Sequence, residues 1–131
     1  MQKDIQIPEV KDVFLAAVLQ ENEDFKTRDW NVFLINNGKD PLENILIVSR
    51  GNDGENATST MRHSLKLLPA KSFAKIEFLQ EEVLKLNNLF SVSFFAEGKL
   101  FHKNFTFEKN SVREDALREI PLIPEKGILL K

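Results

Sequence analysis

Residues 90 to 108 read Phe90-Ser91-Val92-Ser93-Phe94-Phe95-Ala96-Glu97-Gly98-Lys99-Leu100-Phe101-His102-Lys103-Asn104-Phe105-Thr106-Phe107-Glu108, and this stretch decides the fold class. In its second half Phe101, Phe105 and Phe107 alternate with His102, Asn104, Thr106 and Glu108, the period of two expected of a strand with one dry and one wet face. Glu97-Gly98 supplies a tight turn, so the strands Phe90 to Ala96 and Leu100 to Glu108 form an antiparallel hairpin.

The same rhythm continues outward in both directions. Short runs rich in Val, Ile, Phe and Leu predict further strands at Val13 to Gln20, Trp30 to Asn36, Asn44 to Arg50, Ser59 to Leu67 and Phe73 to Leu79. Asn36-Asn37-Gly38-Lys39-Asp40-Pro41 and Gly51-Asn52-Asp53-Gly54 carry turn chemistry, and Pro69 marks a corner. The expected architecture is an all-β, immunoglobulin- or fibronectin-III-like sandwich of about seven antiparallel strands. Glu81 to Leu86 reads as one helical turn. Ser111 to Ile120 reads as a short carboxyl-terminal helix, with capping-box spacing between Ser111 and Glu114, one face made of Val112, Ala116, Leu117 and Ile120, and Pro121 as its stop. Residues 121 to 131 then form an apolar tail.

Composition sets the limits. The 131 residues suit one domain with one core, at 42% hydrophobic and 29% charged. A net charge of -2 gives no overall attraction for a phosphate backbone. With no cysteine there is no disulfide framework and no thiolate chemistry. The start, Met1 to Lys11, lacks a secretory pattern, and no run approaches the ~20 apolar residues of a membrane span, so a cytoplasmic location is expected and the Asn56-Ala57-Thr58 and Asn104-Phe105-Thr106 triplets are read as unused.

Alternation holds at Phe73 to Leu79, where Ala74, Ile76 and Phe78 are dry and Lys75 and Glu77 wet. It fails at Val13 to Leu19, Trp30 to Ile35 and Ile45 to Val48, which are apolar at both parities and so call for cover on both faces. Uncovered Val18, Phe33, Ile35 and Phe95 would make an apolar patch unusual on a monomer. The expectation is that the segment after Pro121 covers part of it and self-association the remainder. Phe33, Ile35, Phe95, Leu122, Ile123, Ile128 and Leu129 are therefore the candidate interaction surface.

No catalytic, cofactor or metal site is expected. His63 falls among Met61, Leu65 and Leu67 and reads as a core-edge histidine satisfied by backbone, while His102 sits on a polar strand face. Asp53 and Glu55 lack the ordered oxygen series of a calcium loop, and Glu21, Glu23, Asp24, Glu81 and Glu82 read as solvated charge. No phosphate loop, nucleophile elbow or dinucleotide fingerprint appears. Eleven Phe, one Trp and no Tyr favour dry packing over sugar platforms, and Trp30 reads as the central core tryptophan. Arg62, Lys66, Lys71, Lys75, Lys85, Lys99 and Lys103 would form a basic stripe if their strands were adjacent, with Phe95 as a stacking ring, although Glu77, Glu97 and Glu108 lie among them.

Two resemblances follow from particular residues. The strand ending in Asn-Asn-Gly, the following Pro-Leu, and Leu-Pro-Ala-Lys-Ser before an alternating strand look like bacterial immunoglobulin-like modules. Ile7-Pro8-Glu9-Val10-Lys11-Asp12-Val13, Asp29-Trp30-Asn31, Thr58-Ser59-Thr60-Met61-Arg62-His63 and Leu68-Pro69-Ala70-Lys71-Ser72-Phe73-Ala74-Lys75-Ile76-Glu77 resemble a family of short uncharacterised bacterial proteins, over nearly the full chain. Members of that family are sometimes labelled phenylalanyl-tRNA synthetase alpha subunit. The chain is too short for that catalytic core and lacks its ATP-gripping arginine hairpin, so the resemblance carries over no catalytic residue. The expectation is a noncatalytic interaction or structural module with a protein partner or a second copy; the alternative is an RNA- or translation-associated domain using the lysine-bearing face.

Overall fold

A computed structural model describes residues 10 to 131. The first nine residues, where the secretory pattern was sought and where the second resemblance begins, lie outside the described residues. Among the described residues nine strands form two antiparallel sheets: β1 (Val13–Asn22), β2 (Thr27–Asn36), β3 (Leu42–Asn52), β4 (Met61–Leu68), β5 (Ser72–Leu79), β6 (Asn87–Ala96), β7 (Lys99–Phe107), β8 (Arg118–Ile120) and β9 (Ile123–Leu130). One sheet has the order β5-β2-β1-β9-β8 and the other β4-β3-β6-β7. The main core lies between them, with Leu15, Leu34, Ile45, Ile47, Phe90 and Phe107 almost fully buried. Each such side chain stabilises the fold by about 1.5–3 kcal/mol.

The β6–β7 hairpin forms as its sequence dictates. Ala96 pairs with Lys99, and both Glu97 and Gly98 have positive φ, 52° and 73°. That is the two-residue turn whose twist matches the strands it joins. Trp30 is buried in the main core in the first half of β2, opposite Leu19 and Leu79.

The expected helix over 111 to 120 does not form. Ser111 donates its hydroxyl back to the Glu108 carbonyl rather than capping a helix, Arg113 is extended, and only Glu114–Ala116 makes a 3-10 turn before β8 begins. Val112 and Ile120, placed on one helical face by the sequence pattern, belong to different apolar clusters. A ten-residue helix is marginal by itself, so the burial of these two residues on different sides of the sheet prevails.

The tail is likewise ordered sheet. β9 pairs with β1 through Leu15↔Leu130, Ala16↔Leu129, Ala17↔Ile128 and Val18↔Gly127. Ile128 and Leu130 pack on the main core, while Ile120, Ile123 and Leu129 join Ala16, Val18, Phe33 and Ile35 in a second cluster on the outer face. The β8–β9 hairpin thus covers the second apolar face of β1 and β2 with the chain's own residues. Gly127 permits the approach, since a Cβ there would stand 2.3 Å from the Ala17 carbonyl oxygen and 2.9 Å from the Val18 Cα. The turn at Pro121-Leu122 places Leu122 at φ 70°, a conformation normally left to glycine or asparagine.

The other doubly apolar run is treated differently. Ile45 and Ile47 enter the main core, but Leu46 is exposed and Val48 half-buried. Among the described residues no second cover lies over Leu46.

Candidate functional site

The two sheets part along one side of the sandwich. β4 and β5 are both edge strands, joined at the corner Pro69–Lys71, and they meet at few positions. Asn36 closes the corner end: its buried amide donates to the Asp40, Leu68 and Pro69 carbonyls, and its Oδ1 accepts from Gly38 N. Away from the corner the seam opens into a cavity of about 700 Å3.

A bulge supplies the floor of that cavity. In the β2–β5 ladder Val32 faces Glu77 and Phe33 faces Lys75, leaving Ile76 as an extra residue. The extra residue reverses the parity of the strand beyond it. Ile76 stays in the core, Phe78 turns out to 46% exposure, and the Glu77 side chain turns inward to 11%. The simple alternation that made Phe78 dry and Glu77 wet is corrected at this point.

Glu77 Oε1 accepts two hydrogen bonds from the opposite sheet, from Ser49 Oγ at 2.6 Å and from His63 Nε2 at 2.9 Å. Ser49 lies on β3, where it faces the cavity beside Gly51, and His63 lies opposite Ile47 on β4. His63 is therefore held by a carboxylate rather than by backbone. With the carboxylate as acceptor, Nε2 is the donating ring nitrogen in this contact. Apolar walls come from Met61, Ile76, Phe78, Val83 and Phe90, and Arg50 and Lys75 supply positive charge.

The seven basic residues do not form one stripe. Arg62 and Lys66 lie on β4, Lys71 at the corner and Lys75 on β5, so these four follow the open edge. Lys85 lies in the 3-10 turn Glu81–Lys85, whereas Lys99 and Lys103 lie on β7 at the far edge, Lys103 with its ammonium 4.9 Å from the Phe105 ring centroid. Along the open edge the cations alternate with exposed Met61, Leu67, Phe73 and Phe78.

The expected interaction residues are dispersed. Phe33, Ile35 and Ile123 are buried in the second cluster, Leu129 packs against it, and Ile128 packs on the main core. Leu122 is exposed at the hairpin tip, and Phe95 is exposed on β6 in the other sheet. His102 belongs to a solvent-facing network on that sheet: Ser93 Oγ lies 2.8 Å from Nδ1, Nε2 lies 3.1 Å from Asn104 Oδ1, and Ser91 Oγ donates to the same Oδ1.

In the loop before β4, Asp53 accepts from the backbone N–H groups of Asn56 and Glu55, which hold its carboxyl below the ordinary carboxylate range. Among the described residues no group of three or more His, Asp or Glu side chains is placed to hold a metal ion, and no helix is long and apolar enough to cross a membrane. No protein-family model matches the chain, and no curated protein matches it.

Proposed function

We propose that the protein is a noncatalytic interaction module, built on an immunoglobulin- or fibronectin-III-like sandwich, which engages another polypeptide along the edge formed by β4, the corner and β5. The sandwich type is supported by the division of the first seven strands into β5-β2-β1 and β4-β3-β6-β7, with the carboxyl-terminal hairpin as an addition beside β1. The observation that carries the binding assignment is the local character of that edge. Between Met61 and Leu79 the chain has four Lys or Arg residues against one acid, Glu77, which is turned inward, in a protein whose net charge is -2.

The noncatalytic reading rests on how the polar groups are joined. Ser49 and His63 both meet the same Glu77 oxygen, so the hydroxyl is not paired with the imidazole as a serine–histidine nucleophile would be. Ser93 does meet His102, but on an exposed sheet face where water competes for every charge that would develop.

A second reading is favoured by the exposed Phe73 and Phe78 beside Lys71 and Lys75, which together resemble the ring-and-cation surface used for single-stranded RNA. One experiment separates the two. A photoreactive benzophenone side chain is placed at position 67, 78 or 122 and the protein is irradiated in its own cells. Polypeptide adducts at 67 and 78, absent at 122 and insensitive to ribonuclease, are expected. Adducts removed by ribonuclease would favour RNA, and adducts at 122 alone would overturn the assignment of the edge.

A further inference from the structure

We propose that the partner docks as an extended strand added to the free edge of β4, and that it carries alternating apolar and acidic residues with two acids four positions apart. The proposal rests on the reading of this edge as an interaction site and names the chemistry of its occupant.

β4 is eight residues long and among the described residues pairs only with β3, through a register that shows no slip from Leu42↔Leu68 to Ser49↔Met61. Its outer side therefore presents a straight row of backbone donors and acceptors that no described strand pairs with. The other edges are less suited: β5 carries the bulge at Ile76, β8 has three residues, and on β7 Lys103 packs over Phe105.

The side chains of β4 set the register of what would pair with it. Met61, His63 and Leu65 lie opposite Ser49, Ile47 and Ile45, which are buried on the core side. Arg62, Ser64 and Lys66 have the opposite parity and face solvent; Arg62 and Lys66 are exposed. In an added strand, one set of side chains would lie beside Met61 and His63, which line the cavity, and Leu65, which packs on the main core, and the alternate set beside Arg62, Ser64 and Lys66. Apolar residues fit the first set. Acids fit the second, because Arg62 and Lys66 are two positions either side of Ser64 and opposite charges across a ladder attract.

The same cations argue against a second copy of this chain. Antiparallel pairing of two β4 strands about Ser64 would set Arg62 against Lys66 twice. Like charges in that position are unfavourable, so the edge rejects itself while accepting an acidic strand.

The test uses a phage-displayed library of random octapeptides selected on the full-length protein, with amide resonances recorded for the best binder. Enriched peptides should carry Asp or Glu at i and i+4 with apolar residues between them at alternate positions. Amide shifts should concentrate on residues 61 to 68. R62E/K66E, checked for native circular dichroism, should lose about tenfold or more in affinity and select peptides with Lys or Arg at the same spacing. Peptides without paired acids, or equal binding by wild type and R62E/K66E, would overturn the proposal. So would enrichment of no peptide, or amide shifts on 61 to 68 that appear with protein concentration alone. If polypeptide adducts still form at positions 67 and 78 after such a result, the strand model fails but the edge remains the binding site. Loss of both removes the functional reading as well.

Discussion

The outer face of β1 and β2 and the edge made by β4 and β5 meet the same problem, apolar side chains near solvent, and resolve it in opposite ways. On the first, Ala16, Val18, Phe33 and Ile35 are covered by Ile120, Ile123 and Leu129 from the chain's own hairpin. On the second, Met61, Leu67, Phe73 and Phe78 remain exposed, separated by cations, over a cavity floored by Ser49, His63 and Glu77. An apolar face by itself therefore does not say what covers it. The two differ in the charge placed around them: the sealed face is a nearly pure hydrocarbon cluster, whereas the open edge carries Arg62, Lys66, Lys71 and Lys75.

The sharpest way to break this contrast is to remove the seal. A chain ending at Ile120 loses β9, which pairs with β1 and contributes to both apolar clusters. The loss should exceed the roughly 5–15 kcal/mol of an ordinary domain's stability, and circular dichroism should show an unfolded chain. A smaller but still large effect is expected for Gly127→Ala, because the added Cβ meets backbone rather than a movable side chain. Denaturant unfolding should show a loss of about 3 kcal/mol.

On the open edge the expected effects are smaller. Glu77→Ala leaves the buried Ser49 hydroxyl without its acceptor and should cost about 1–3 kcal/mol. Glu77→Gln retains an acceptor for Ser49 and His63 and should cost less than half as much in the same urea titration. The smallest change runs in the opposite direction. Leu122→Gly relieves a leucine at φ 70° and should raise stability by about 1 kcal/mol, read as a higher melting temperature, with the second cluster unchanged.

Much of this architecture is legible from local pattern. Phe101 through Phe107 alternate because β7 has one dry face, and Glu97-Gly98 adopts the turn its composition favours. The double parity of Val13 to Leu19 and Trp30 to Ile35 correctly required a second cover. Ser111 to Ile120 misleads because the spacing of Val112, Ala116 and Ile120 suits a helix, while the tertiary structure buries Val112 in the main core and Ile120 in the second cluster on the other side of the sheet. Ile45 to Val48 misleads in the other direction, since Leu46 is simply left exposed.

The candidate site was far less legible. Ser49 and His63 lie 28 and 14 positions before Glu77, and no local pattern joins them. The orientation of Glu77 depends on the bulge at Ile76, which a strict period of two conceals. One signal was present: Phe78-Leu79 places two large apolar residues in succession at the end of an alternating strand, and such a break in parity is what a bulge produces.

The chain seals its own second apolar face, and the role proposed for the cationic edge is to receive a different polypeptide. Light scattering on the full-length protein over a hundredfold range of concentration tests it most directly. The account predicts a monomer of 15.1 kDa throughout, with R62E/K66E also monomeric. A dimer that persists on dilution would mean that the remaining exposed surface is satisfied by a second copy, and would contradict it.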